Sequence, residues 1–368
     1  MTVGDLGEFG LIAAITAQLP RGGRTVVGVG DDAAVLAAPD GRVVATMDLL
    51  VEARHFRRDW SAPADIGGKA AARNLADVAA MGATPVALLV GLAAPADLPV
   101  AWARDFVSGM AAECARTGAT VIGGDVSSAD AIMLAVTALG DLAGREPVTR
   151  AGARPGDVLA FAGVLGHAAA GLALLGAGLA EPAALVAAYR WPRPPYHAGP
   201  EAAALGATSM IDISDGLVAD VGHVAQASGV LIDIDTARLE PGDDLLAAAA
   251  GLGASGPAGS AERSGPAERS GPAEQSGPAE RSGPAERSAP AGPAERSGPA
   301  GQGWQDGGSA RPLVWMLTGG EDHALAATFP PGATLPARWQ VIGRVTEGQG
   351  VSVNGRPFQG RPGWDHFI

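Results

Sequence analysis

Aspartates recur where apolar, strand-forming runs stop. Asp31 and Asp32 follow "TVVGVG", Asp48 follows "VVATM", Asp125 follows "VIGG", and Asp212 and Asp215 lie in "DISDG". Glu321 and Asp322 follow "LTGG", and Asp77 sits inside a helical run. Strand ends on one edge of a sheet converge, and carboxylates placed there share one small volume. Two of them about 5 Å apart repel by roughly 3 kcal/mol at an effective dielectric of about 20. No lysine and few arginines near these acids are available to offset this, so divalent cations are the expected counter-charge. Every candidate ligand is an oxygen, with no Cys or His cluster beside it, which suits a hard ion such as Mg²⁺.

Gly28, Gly30, Gly123, Gly124, Gly319 and Gly320 flank these acids. Positions without a side chain let backbone N–H groups approach phosphate oxygens. Carboxylates, Mg²⁺ and glycine-rich turns together describe a nucleotide phosphate site. Phosphoryl transfer there needs mainly in-line positioning and charge neutralisation. A P-loop is excluded, because the only lysine, Lys69 in "GGKAA", has no Ser/Thr after it and lies in a helical run. Taken singly, each element has a plainer reading. An Asp after a Gly is a turn residue, Asp77 pairs with Arg73 one helical turn earlier, His55 is a surface histidine and Trp364 is core. The repetition of glycine-plus-acid strand ends is what argues against those readings.

The elements that must position these residues alternate between helix and strand. Residues 25–30, 43–47, 84–93, 119–124 and 131–140 read as strands, with helices over 64–81 and from Pro99 toward Thr117, closed by Gly82 and Gly118. A second unit opens near 154–163. It has a helix around 168–176, a Pro-rich connection at 190–200, a strand at 209–213, a helix ended by Gly229 and a strand at 230–235. Residues 312–329 and 339–345 read as further strands. The division expected is 1–148 and 149–368, an α/β chain with mixed sheets. At 264–287 the hexad S-G-P-A-E-R recurs four times, once with Gln for Arg, within Gly/Pro/Ala/Ser-rich text over about 254–310. So few bulky apolar residues cannot repay the entropy of ordering, and the segment reads as a disordered loop expansion rather than a docking tail.

The 368 residues suffice for two cores, and 47% hydrophobic composition marks a globular chain. A net charge of −13 argues against nucleic acid as a partner. Cys114 is the single cysteine, so an internal disulfide and a CxxC metal site are excluded. With no signal-like start and no apolar run long enough for a membrane, a cytoplasmic location is expected.

At this point the motifs match a family. "GEFGLI" (7–12), "GVGDDAAV" (28–35), "DLLVEARHF" (48–56), "NLADVAAMGA" (74–83), "IGGD" (122–125), "TRAGARPGD" (149–157), "IDISDGL" (211–217), "GGED" (319–322) and "GWDHF" (363–367) occur in order. The set closely resembles the thiamine-monophosphate kinase family and leaves only the repeat segment unmatched. The resemblance implies the two-domain fold of aminoimidazole ribonucleotide synthetase, with an N-terminal domain that binds ATP and Mg²⁺ and forms a homodimer through its sheet. It implies direct phosphoryl transfer from ATP to thiamine monophosphate, the last step to thiamine diphosphate. Carried over residue by residue, it implies Mg²⁺ ligands at Asp32, Thr46, Met47 (through its backbone), Asp48, Asp77, Asp125, Asp212 and Asp215. ATP contacts fall on Gly124, Asp125, Arg150 and Ser214, and substrate contacts on His55, Glu321 and Trp364. Asp48, Asp125 and Asp215 carry the catalytic expectation. The chain departs from the pattern at Met47, where a hydroxyl residue is frequent, at His323, where tyrosine is common, and at Trp364, where Tyr or Phe is frequent.

Two alternatives stand beside this. Another ATP-dependent enzyme of the superfamily is one, but selenophosphate synthetase needs a reactive N-terminal Cys, the hydrogenase-maturation enzyme a C-terminal Cys, and aminoimidazole ribonucleotide synthetase lacks "GWDHF". A catalytically inactive nucleotide-binding scaffold is the other, and the intact aspartate set speaks against it.

Overall fold

A computed structural model describes residues 1–20, 23–29, 33–254 and 307–364. Asp31 and Asp32, most of the repeat segment, and the end of the "GWDHF" motif therefore lie outside the described residues. Helix α1 (Val3–Thr16), with a non-helical Gly7, leads into a short hairpin of β1 (Thr25–Val27) and β2 (Val35–Leu36). Strand β3 (Val44–Val51), helix α2 (Pro63–Ala80), β4 (Thr84–Ala94), α3 (Val100–Ala115), β5 (Thr120–Ser128) and β6 (Met133–Asp141) follow. They form a four-stranded sheet in the order β3-β6-β4-β5, with β4 and β5 parallel and the other pairs antiparallel.

The second half runs β7 (Val158–Ala162), α4 (His167–Gly176), α5 (Ala183–Arg190), α6 (Ala198–Ala204), β8 (Ser209–Ile213), α7 (Leu217–Ser228), β9 (Leu231–Ile234) and α8 (Asp243–Ala254). After the repeat come α9 (Gly307–Thr318), β10 (Ala324–Phe329), β11 (Trp339–Thr346), β12 (Gly350–Val353) and β13 (Arg356–Pro357). A seven-stranded sheet has the order β13-β12-β9-β11-β7-β10-β8, antiparallel except between β9 and β12. The strand expected over 312–329 is corrected. Its first part is the C-terminal turns of α9, because Leu313, Met316 and Leu317 fall at helical spacing and pack on one core.

Period-2 alternation assigns the faces of the large sheet. On β7 and β10, Ala160, Ala162, Leu325 and Ala327 join the core that includes α2, whereas Leu159, Phe161, Ala324 and Ala326 join a second core under α4, α7 and α9. Helix α2 is thus sandwiched between the two sheets and buried nearly all round. Pro63 opens it, and the Asp65 carboxylate accepts the Ala62 N–H at 3.0 Å. It lies close against α3 because Gly67 and Gly109 face the partner backbone. A Cβ on either would sit 1.9 Å from a carbonyl oxygen of the other helix. The fully buried Glu113 of α3 locks the halves together, accepting from Trp191 Nε1 at 2.7 Å and Tyr196 Oη at 2.5 Å. No helix among the described residues is long and apolar enough to cross a membrane.

Candidate active site

Three elements meet along α2. Lys69, Arg73 and Asp77 recur every four residues and form one stripe. On β3, Thr46 and Asp48 alternate with Met47 and Leu49, so the first pair faces α2 while Met47 and Leu49 face outward and are 59% and 46% exposed. The third element is the "GGED" loop between α9 and β10, which delivers Glu321. It is pressed against the "DISDG" loop after β8. A Cβ on Gly320 would lie 2.3 Å from the Ser214 carbonyl oxygen, and the Glu321 N–H donates to that same oxygen at 2.8 Å.

The contacts form a chain across the seam. Lys69 Nζ stands 2.5 Å from Glu321 Oε2, and Arg73 Nη1 stands 2.9 Å from Glu321 Oε1. Arg73 Nε donates to Asp48 Oδ2 at 3.3 Å, and Thr46 Oγ1 donates to Asp77 Oδ2 at 2.9 Å. The buried Asn74 side chain accepts the Asp48 N–H at 3.0 Å, satisfying the outer edge of β3. The sequence expectation of uncompensated acids is therefore corrected in part, because Lys69 and Arg73 neutralise Glu321 and Asp48. Asp77 pairs with Thr46, and Arg73 turns to Asp48 and Glu321 instead.

Electrostatics separate these carboxyls. Burial and the Asp212 and Asp48 charges push Asp77 up to about 8, against the pull of Thr46 and Arg73. Burial also acts to raise Glu321, but the Lys69 and Arg73 charges prevail and hold it at about 2. Asp212 lies on the α2-facing side of β8, where His323 Nδ1 is 3.1 Å from its Oδ2. His323 Nε2 is buried without a hydrogen-bond partner. Glu321 and His323 both hold positive φ, at 70° and 52°, a conformation that costs a non-glycine residue free energy and recurs at functional sites.

Two further acids support the loops. Asp220 Oδ2 accepts from the N–H groups of Asp215 and Gly216, both at 3.0 Å, and burial, Asp212 and Asp215 still push its carboxyl up to about 8. Asp322 turns away from Glu321 and caps the start of α4, accepting from Gly166 N–H at 2.5 Å and Ala168 N–H at 2.7 Å. Neither role is visible in the sequence. For Lys69 a signal existed, since a lone lysine stands among 26 basic residues.

Thr46, Asp48, Asp77, Asp212 and Glu321 are thus brought together, with Ser214 and Asp215 in the adjoining loop. Half-buried His55 follows β3, and its Nδ1 accepts the Val51 N–H at 3.0 Å, so its neutral form carries the proton on Nε2. Trp364 is half-exposed and its N–H donates to the Asp215 carbonyl at 2.9 Å. Gly124 and Asp125 stand apart from this group. β5 and β3 are opposite edges of one sheet, so the exposed Asp125 lies three strand spacings, about 14 Å, from Asp48. Arg150 is also apart. It is exposed, and its neighbour Thr149 bonds Met210 near the start of β8, whereas Ser214 follows the end of that strand.

Among the described residues no three His, Cys, Asp or Glu side chains already stand close enough to hold an ion. The donor chemistry nonetheless fits one. Burial, with the Asp212 and Asp48 charges added to it, raises the Asp77 carboxyl to about 8, and carboxylate and hydroxyl oxygens suit a hard divalent cation.

The family model of the AIR synthase related protein, N-terminal domain, matches residues 30–142. The thiamine-monophosphate kinase of Mycobacterium tuberculosis is 41% identical over 368 residues, covering 100% of this chain and 93% of that protein. That of Corynebacterium glutamicum is 37% identical, covering 94% and 88%. The solved structure of AaThiL complexed with AMPPCP and TMP superposes with a TM-score of 0.68 at 30% identity, covering 100% of this chain and 99% of that one.

Proposed function

The chain belongs to the thiamine-monophosphate kinase family, and from that premise we propose how its own residues carry the reaction. It is an ATP-dependent kinase that phosphorylates thiamine monophosphate to thiamine diphosphate. The observation that carries this reading furthest is the full-length identity, together with the seam at α2 where Asp48, Asp77, Asp212 and Glu321 meet.

In this reading several Mg²⁺ ions bind: Thr46, the Met47 backbone, Asp48, Asp77, Asp212 and Asp215 would serve the α2 seam, and Asp32 and Asp125 would serve further ions, Asp125 from the opposite edge of the four-stranded sheet. When bound they neutralise phosphate charge and lower the barrier to in-line transfer. Asp48, Asp125 and Asp215 are the catalytic carboxylates. Gly124, Asp125, Arg150 and Ser214 contact ATP, with the glycine leaving room for phosphate oxygens. The Asp77 carboxyl is raised by burial and then by the Asp212 and Asp48 charges, and a cation bound beside it would favour its ionised form. Arg73 holds Asp48 on one side and Glu321 on the other, so the metal side and the substrate side of the seam keep a fixed relation.

The thiamine moiety meets Glu321, His55 and Trp364. An ionised, partly exposed Glu321 accepts hydrogen bonds from an aminopyrimidine, and the exposed Trp364 ring offers a stacking face. Residues 1–148 form the ATP-binding and pairing unit, and 149–368 supply the Glu321 and Trp364 side. The outward face of the four-stranded sheet, with Met47, Leu49 and Met133 exposed, is the surface through which two copies pair. The test is to supply ATP, Mg²⁺ and thiamine monophosphate and measure thiamine diphosphate. ATP hydrolysis without that product points to the scaffold alternative or to another superfamily enzyme.

A further inference from the structure

Lys69 is the only lysine in the chain, and every other one of the 26 basic side chains is arginine. It is 2% exposed in the middle of α2. Its ammonium has three N–H donors. One meets Glu321 Oε2 at 2.5 Å, one meets the Tyr189 carbonyl at 3.1 Å, and the charge sits 4.1 Å from the centroid of the Tyr189 ring. Tyr189 is itself braced by the edge of Trp60, with ring centroids 6.3 Å apart. An ammonium is compact enough for this enclosure, whereas a planar guanidinium is not a like replacement. Burying a charge this completely is costly unless it is paired and hydrogen-bonded; the Tyr189 carbonyl supplies a hydrogen bond, and the pairing charge comes from Glu321, which reaches across from the other sheet.

The two cations on Glu321 differ in what else they do. Arg73 divides its guanidinium between Glu321 and Asp48, whereas among the described residues the one carboxylate on Lys69 is Glu321. Each Glu321 oxygen spends one lone pair on α2, and the side chain remains 27% exposed, so its other lone pairs stay open to a ligand. Positive φ at Glu321 costs a non-glycine residue free energy, and Lys69 and Arg73 grip the far end of its side chain.

We infer that Lys69 is a positioning residue for Glu321, fixing the direction in which that carboxylate meets the thiamine end of thiamine monophosphate. The inference deepens the reading of Glu321 given above and rests on it. The test compares wild type, Lys69→Met, Glu321→Gln and the double variant by steady-state kinetics with each substrate varied. Lys69→Met raises KM for thiamine monophosphate about tenfold or more, with KM for ATP within about twofold and kcat within about threefold. The double variant is no worse than Glu321→Gln alone, because the lysine acts only through that carboxylate. If Lys69→Met fails to fold, the double variant, which leaves no unpaired lysine or glutamate at the pair, carries the same comparison. An unchanged KM for thiamine monophosphate in Lys69→Met, equal rises for both substrates, or additive losses in the double variant overturn the inference. A wild-type chain that makes no thiamine diphosphate overturns the underlying reading and the inference with it, and an active wild type separates the two failures.

Discussion

The backbone N–H of Trp364 donates to the carbonyl of Asp215 at 2.9 Å. That one bond ties the C-terminal segment to the "DISDG" loop, whose other side supports Glu321 through the Ser214 carbonyl. The Trp364 ring, 49% exposed, is thereby held at the rim of the seam. Removing it should cost substrate stacking alone. Trp364→Ala is expected to raise KM for thiamine monophosphate about tenfold, near 1.4 kcal/mol, with KM for ATP within about twofold. An equal rise for both substrates would assign the tryptophan a structural role.

Asp77 gives a pH signature. Its folded carboxyl is raised to about 8, chiefly by burial and then by Asp212 and Asp48, from an ordinary value of 3.8. Between these values the folded chain holds a proton that the unfolded chain has released, so stability falls as pH rises and the contribution is gone above about 8. The metal-free protein should therefore melt at progressively lower temperature from pH 5 to pH 8.5. Asp77→Asn should make that slope shallower, with the raised Asp220 and Asp322 carboxyls supplying the remainder, and Mg²⁺ should raise the melting temperature most at the alkaline end. A wild-type profile unchanged by Asp77→Asn contradicts the assignment.

How much of this was legible in the sequence depends on the distance between partners. The Gly-plus-acid pattern is local, and it singled out Asp48, Asp212 and Glu321, which the fold brings together; Asp48 nevertheless lies inside β3 (Val44–Val51) rather than at the strand end expected for it, and Thr46 entered only through the family resemblance. The order of strands within a sheet is not local, so the sequence did not reveal that Asp48 and Asp125 occupy opposite edges. Lys69 and Glu321 are 252 residues apart, and no spacing rule joins them. The lysine was read only as a failed P-loop. The C-terminal part of α9 was misread as strand because a short apolar run has no decisive period. Asp220 and Asp322 act by capping backbone N–H groups of loops whose geometry exists only in the folded chain.

The repeat segment should be dispensable. Helices α8 and α9, which flank it, pack against each other without it. Replacing residues 255–306 with a linker of about seven residues shortens the connection about sevenfold, and loop closure then favours folding by about 2 kcal/mol. The variant is expected to keep its kcat and to melt at the same or a higher temperature. Loss of thiamine diphosphate synthesis with an intact circular dichroism spectrum would show a role for the repeat.

The outward sheet face predicts the assembly. Leu49 is 46% exposed beside Met47 and opposite Ala135 of β6. The full chain, 36.5 kDa per copy, should run as a dimer in light scattering, and Leu49→Asp should shift it toward monomer. A wild-type monomer at the concentrations used for assay would contradict pairing through this face.

The most direct test follows the γ-phosphoryl group of labelled ATP in the presence of Mg²⁺ and thiamine monophosphate. The label should appear in thiamine diphosphate, with none retained on denatured protein. Asp48→Asn and Asp125→Asn should each lower kcat/KM at least about 100-fold, near 3 kcal/mol of transition-state stabilisation. Both variants should stay folded, because Asp125 is exposed and Arg73 keeps its ion pair with Glu321 when Asp48 is replaced. Label released only as inorganic phosphate, label bound to the protein, or near-normal transfer by both variants would contradict the account.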